Sequence, residues 1–341
     1  MNDKKLAVLR AKYGDETKNQ NEGKLFDRVI SFFETKGANK DLPYSGISTF
    51  LDAPYTEEFE GLDIALIGIP MDLGVTNRSG ARQGPRAVRE IERIGPYNHA
   101  LDVIPFETLK CADVGDVPFR SRYSLEKSIE DIEAFITKIK SADIIPLSIG
   151  GDHSVSHPIL KALGKDDPVG MVHIDAHCDT AGEFDCSKFN HGGPFRNAVL
   201  DGVLDPERTI QIGIRGNAEY LWQFSYDSGM TVIHADEFIR MGVEAVIQKA
   251  LDVVGDKPFY ISLDVDGIDP AFTPGTGTPE VGGLMPREIQ QFLWGLRGKK
   301  IIGGDVVEVA PQYDGTTNTA QVGAQMVFEI LSLIALSPNN V

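Results

Sequence analysis

The chain has 341 residues, 42% of them hydrophobic, enough to bury one large α/β core. Its 33 basic and 50 acidic side chains leave a formal net charge of −17. Such a surface repels nucleic acid and anionic lipid, excludes both as partners, and mildly favours the approach of a small cation.

The N-terminal stretch MNDKKLAVLRAKYGDETKNQ is charged and has no apolar run of the signal-peptide kind. No segment reaches the ~18 apolar residues of a membrane span. Three scattered cysteines, Cys111, Cys178 and Cys186, make neither a disulfide framework nor a zinc site. A soluble protein of the reducing cytoplasm is expected. Residues 1–60 read as a polar, irregular arm, and residues 61–341 as a single domain.

From Leu62 short apolar runs alternate with amphipathic stretches. The runs are LDIALIGIP (62–70), DIIPLSIGG (143–151), VGMVHIDAH (169–177), TIQIGIR (209–215), TVIHAD (231–236), KPFYISLDVD (257–266) and KIIGGDVVEV (300–309). Near-continuous apolar character predicts strands covered on both faces, hence a mostly parallel sheet. Helices are predicted over 124–142, 237–255, 286–298 and 316–336, the first with Ile129, Ile132, Phe135, Ile136 and Ile139 on one face. The fold class is therefore α/β.

Polar residues gather at the C-terminal ends of these strands: Gly-Gly-Asp-His, Asp-Ala-His-Cys-Asp, Asp-Val-Asp-Gly and Glu308. Parallel sheets bind ligands at that edge. In HIDAHCDT, Asp175, His177 and Asp179 share a face if strand geometry persists to Asp179, and in SLDVD so do Asp264 and Asp266. His153 adds a second imidazole. Four carboxylates buried without cations would repel one another. Two divalent ions sharing bridging carboxylates answer that repulsion, and the oxygen-rich set leans to Mn²⁺ over Zn²⁺, with Ni²⁺ or iron as alternatives. His173 has the same strand parity but sits deeper, as a supporting or core residue. Asp152 and His157 read as helix-start residues, and Cys178 as packing. An EF-hand fails because the twelfth position from Asp264 is Gly275. A deacetylase site with a single zinc would leave Asp179 and Asp266 unexplained.

These segments resemble the ureohydrolases, the family of arginase, agmatinase, guanidinobutyrase and guanidinopropionase. The resemblance rests on GIPMDLGVTNRSGARQGPRAVRE (68–90), SIGGDHSVS (148–156), HIDAHCDT (173–180), NHGGPFR (190–196), SLDVDGIDPAFTPGTGTPEVGG (262–283) and GGDVVEVAP (303–311). It implies a three-layer α/β/α fold, a pair of Mn²⁺ ions, and trimers or hexamers of like chains. Carried over residue by residue, His153, Asp175, Asp179 and Asp264 would hold one ion. Asp175, His177, Asp264 and Asp266 would hold the other. His191 matches the family's proton-shuttling histidine, and Glu308 the carboxylate that grips the guanidinium. Asp266 would also steady the tetrahedral intermediate.

The implied reaction is hydrolysis of a guanidino compound to urea and an amine. Before the shuttle histidine, AGEFDCSKFN (181–190) departs from the Ser/Thr/Asn-rich arginase segment, which argues against arginine. Glu183 and Asp185 suit an amine tail, as in agmatine. Lys188 suits a carboxylate, as in a guanidino acid. A free or alkyl-substituted guanidine is the alternative substrate. A catalytically silent subunit of a hetero-oligomer is the alternative role, although all six metal-ligating positions are filled.

Overall fold

Strands that read as unbroken apolar runs must be covered on both faces, and they are. The computed structural model describes residues 2–14, 24–35 and 44–338. Its strands are β1 (Ile64–Ile69), β2 (Cys111–Asp116), β3 (Ile145–Gly150), β4 (Val169–Ile174), β5 (Leu204–Ile214), β6 (Thr231–His234), β7 (Phe259–Asp264) and β8 (Ile301–Val307). They form one sheet in the order β2-β1-β3-β8-β7-β4-β5-β6. Every pairing in it is parallel.

The described helices are α1 (Asp3–Tyr13), α2 (Lys24–Thr35), α3 (Gly84–Arg89), α4 (Pro105–Thr108), α5 (Leu125–Ser141) and α6 (Ser156–Leu163). They continue with α7 (Pro194–Leu200), α8 (Gln223–Ser228), α9 (Ala235–Met241), α10 (Val243–Val254), α11 (Pro286–Trp294) and α12 (Asn318–Ala335). The two-residue period of β1 divides them into layers. Ile64 and Leu66 join the core formed with α10, α11 and α12. Ala65, Ile67 and Ile69 join the core formed with α5, α6 and α7. Helix α5 shows why the middle layer is covered. Ser124 caps it by accepting from Lys127 N–H, and Ile132, Ile136 and Ile139 are fully buried at helical spacing.

The expected strands all form, but four details differ from the sequence reading. β2 was not foreseen. Its sequence, CADVGD, is polar, and as an edge strand it needs only one neighbour. The single helix expected over 237–255 is two helices, because Gly242 takes φ +78 between α9 and α10. The N-terminal segment is not irregular throughout, since α1 and α2 lie within it. Arg28 of α2 holds Glu107 of α4 at 2.6 Å. Core packing also begins before residue 61, because Phe50, Leu51 and Ala53 are buried against the sheet.

The four central strands, β3, β8, β7 and β4, are those whose carboxyl ends carry the polar motifs. The chain leaves β3 for β4, and the gap between them is filled later by β7 and β8. A sheet crossed in this way opens a crevice at its carboxyl edge. Below that crevice the fold rests on packing. Ile136→Ala should cost about 2–5 kcal/mol in chemical denaturation. Metal content should be unchanged. Loss of bound metal together with stability would show that the α5 face and the crevice are coupled.

Candidate metal centre

His153 follows β3 in a short 3₁₀ turn, Val155 closing it, with Asp152 capping the turn by accepting from Ser154 N–H at 2.9 Å. The His153 Nδ1 atom lies 3.0 Å from Asp175 Oδ2, 2.9 Å from Asp179 Oδ2 and 3.3 Å from Asp264 Oδ2. It is buried, yet aligned for a hydrogen bond with none of them. The other ring nitrogen explains this. Ser262 Oγ donates its only hydrogen to Asp305 Oδ1 at 2.7 Å, so toward His153 Nε2 at 2.8 Å it must accept. Nε2 therefore carries the proton, and neutral His153 points a lone pair at three carboxylate oxygens. That is an arrangement for a cation, and these residues fit one. Burial lowers His153, but Asp175, Asp179 and Asp264 hold it well above its usual value.

A second cluster adjoins the first. His177 Nδ1 is 3.4 Å from Asp175 Oδ1 and 3.2 Å from Asp266 Oδ2. Asp264 Oδ1 accepts from Asp266 N–H at 2.7 Å, and Asp266 Oδ1 from Ala176 N–H at 3.1 Å. Asp175 belongs to three groups of ligand atoms close enough to share an ion: with His153 and His173, with His177 and Asp179, and with Asp264 and Asp266. Burial pushes Asp264 well above the usual carboxylate range, helped by the charges of Asp266 and Asp175. Burial and Asp175 push Asp266 up to about 6. Asp175 goes the other way. Its burial is outweighed by His173, His153 and His177, which hold it well below the usual range.

All six sequence-predicted ligands thus converge, though not by the strand parity expected. β4 stops at Ile174, and Asp179 reaches the cluster through a left-handed turn at φ +52. Asp266 lies in a 3₁₀ turn after β7. Gly267 follows because a Cβ there would meet Asp175 N and Cα at 2.9 Å. His173 does support the cluster, with Nε2 2.8 Å from Asp175 Oδ2 and Nδ1 3.0 Å from Gln211 Nε2. Phe195 packs edge-to-face against His153 and tilted against His173, with ring centroids 5.2 and 4.4 Å away. Cys178 is buried, and burial pushes its thiol up to about 12.

Glu308 is buried at the end of β8. Its Oε1 accepts from His153 N–H at 3.0 Å and lies 2.8 Å from His191 Nδ1, while Oε2 has no partner among the described residues. Thr278 Oγ1 donates to Asp266 Oδ2 at 3.1 Å. In the 181–190 loop, Phe184 and Ser187 pair across a tight turn at Asp185 and Cys186, both with positive φ. Glu183, Asp185 and Lys188 there are exposed. Sequence reasoning missed Ser262, Asp305, Thr76 and Thr278. Ser262 was within reach, because it lies two residues before Asp264 on the same strand face.

The profile of the arginase family matches residues 62–332. A guanidinopropionase of Pseudomonas aeruginosa is 46% identical over 86% of this chain and 93% of its own length. A mitochondrial agmatinase of Gallus gallus is 43% identical over 85% of this chain and 86% of its own length. Among solved structures, the proclavaminate amidino hydrolase of Streptomyces clavuligerus superposes with a TM-score of 0.84 at 34% identity, covering 86% of this chain and 99% of that one.

The Ser262–Asp305 pair gives this geometry a test outside the ligands themselves. Ser262→Ala should weaken divalent-ion binding about 10- to 100-fold by titration calorimetry. Asp305→Asn should do the same. Unchanged affinity in both would mean that Ser262 does not set the His153 tautomer.

Proposed function

The chain belongs to the arginase family, and from that premise we propose that it cleaves a short guanidino acid to urea and an amine. It is an amidinohydrolase, and the proposal concerns its ligands, its ions and its substrate. His153, Asp175, Asp179 and Asp264 would hold one ion. Asp175, His177, Asp264 and Asp266 would hold the second, so that Asp175 and Asp264 would serve both. Four carboxylates and two imidazoles favour Mn²⁺, with Ni²⁺ the rival.

A guanidinium is planar, delocalised and slow to be attacked. It needs an anion to orient it, a nucleophile, and a proton for the departing amine. When bound, the two ions supply the Lewis acidity that makes water nucleophilic near neutral pH. The observation that carries the reading is Glu308 Oε2, a buried carboxylate oxygen with no partner among the described residues. It is free to take a guanidinium N–H in a charge-assisted hydrogen bond. His191, 2.8 Å from the other oxygen of Glu308, stands where it can hand a proton to the amine. Asp266, fixed by Ala176 N–H and Thr278 Oγ1, steadies charge at the reacting carbon.

The acid tail rests on two features. One is the guanidinopropionase relative. The other is Arg196, whose guanidinium stacks 4.9 Å from the Phe224 ring beside Gly182 of the 181–190 loop. Among the described residues no carboxylate pairs with it, so it is available to a substrate carboxylate. The catalytic domain runs from about residue 50, where Phe50 and Leu51 join the core, and the segment before it acts as an arm. A homo-oligomer, trimer or hexamer, in the cytoplasm completes the reading. The family resemblance supports the assembly, and the absence of any disulfide among the described cysteines suits the compartment. No described helix is long and apolar enough to cross a membrane.

The test is urea release by the purified protein reconstituted separately with Mn²⁺ and Ni²⁺. The panel is 3-guanidinopropionate, 4-guanidinobutyrate, agmatine, arginine, guanidine and N,N-dimethylguanidine. A guanidino acid should lead. Agmatine or a small guanidine in the lead would overturn the tail assignment, and no urea from any with both ions bound would overturn the substrate class. Asp266→Asn and His153→Ala should lose metal and turnover together. Normal turnover in either would remove that residue from the ligand set.

A further inference from the structure

His191 is only 7% exposed, and its two nitrogens face different surroundings. Nδ1 faces inward, to Glu308 at the end of β8. Nε2 faces the loop after β1, where it meets a single residue twice. Thr76 N–H donates to it at 3.2 Å, and Thr76 Oγ1 lies 2.7 Å away. The backbone also tethers the two segments, since His191 N–H donates to Gly74 O at 2.9 Å. Thr76 itself is exposed. Thr76 thus stands between the buried ring and the outside of the protein.

The chemistry of that contact is specific. A backbone N–H can only donate, so it favours a lone pair on Nε2 and the proton on Nδ1, toward Glu308. A hydroxyl can do either. It donates to Nε2 when the ring is neutral and accepts from Nε2–H when the ring is an imidazolium. Burial lowers His191, but Glu308, with Asp152 and Asp179 beyond it, pushes it up to about 9, so both ring states are within reach. Apart from these three carboxylates and Thr76, no group is found to face the ring among the described residues.

We propose that Thr76 is the proton port of His191, its hydroxyl passing protons between Nε2 and solvent while Nδ1 serves the reaction centre. The inference rests on the reading of His191 as proton carrier. When Nδ1 gives up its proton inward, Nε2 takes the hydroxyl hydrogen of Thr76. The hydroxyl oxygen takes a proton from water or from a buffer acid. Three bonds to hydrogen break, those at Nδ1, at the Thr76 hydroxyl and in the external acid, and three form, those at the interior acceptor, at Nε2 and at the Thr76 hydroxyl. Thr76 is unchanged, and one proton has moved from solvent to the interior. The reverse sequence exports a proton. Thr76 thus acts through His191, as a positioning and relay residue, and touches no substrate.

The test compares Thr76→Val, which keeps shape and loses the hydroxyl, with Thr76→Ser, which restores it, in the metal-loaded enzyme with whichever panel substrate turns over fastest. In dilute buffer, kcat of Thr76→Val should fall at least about tenfold with KM little changed. Thr76→Ser should recover it, and added imidazole should restore Thr76→Val in proportion to its concentration. A readout apart from turnover is the ¹⁵N signal of His191 in histidine-labelled protein loaded with diamagnetic Zn²⁺. Thr76→Val should shift its pH titration, and Thr76→Ser should not. Wild-type kcat in Thr76→Val, or equal loss in both variants with no response to imidazole, would overturn the relay. His191→Asn separates the two readings. If it is inactive while Thr76→Val is normal, only the relay falls. If His191→Asn keeps full turnover, the proton-carrier reading falls and takes the relay with it.

Discussion

Four aspartates in a buried crevice govern the rest of this structure. Asp175, Asp179, Asp264 and Asp266 are all at most 8% exposed, and the two histidines among them cannot neutralise four negative charges. Like charges at this spacing repel strongly where water is excluded. Burial and mutual repulsion push Asp264 and Asp266 above the usual carboxylate range, while three histidines hold Asp175 below it. Divalent cations relieve all of it at once. A folded chain that keeps such a cluster has its carboxylates arranged for ions.

The sheet makes the cluster possible. Ends of β3, β8, β7 and β4 lie side by side although β3 ends at Gly150 and its neighbour β8 at Val307. Side chains from four strands can then meet without long loops, and rigid strands carry them. The approach is close enough that only glycine fits in places. A Cβ on Gly267 would collide with the Asp175 backbone, and one on Gly151 would stand 1.7 Å from Met71 O. These glycines bring backbones together rather than supplying turns.

Around the cluster the histidines are oriented from outside. Asp305 receives hydroxyl hydrogens from Ser156, Tyr260 and Ser262, and through Ser262 it turns the lone pair of His153 toward the carboxylates. Gln211 does the corresponding service for His173, which then supports Asp175. His191 stands apart from this set, between Glu308 and Thr76, with one nitrogen for each. The groups that fix protons thus come partly from the ligand-bearing strand β7, which carries Ser262, and partly from β5 and β8, which carry Gln211 and Asp305.

Much of this was written locally. Apolar runs with short helical periods between them dictate a parallel α/β sheet, because hydrophobicity on both faces leaves no other packing. The i, i+2 carboxylates, the Asp-x-His pattern and His153 of GGDHS mark six candidate ligand positions, and NHGGPFR and VVEVAP point to His191 and Glu308. Local pattern failed where local preference was weak. The edge strand β2 pairs with β1 as its only neighbouring strand and is further held by the segment around Tyr55, and Gly242 divides a stretch whose apolar period runs straight through it. Residues such as Thr76, Asp305 and Gln211 carry no signal in sequence, because their partners lie 38 to 149 residues away. The sequence by itself determined which side chains are available to hold cations and which strands carry them. Only the tertiary structure decided which nitrogen of each histidine bears its proton, since that depends on the single donor or acceptor packed against the far side of the ring.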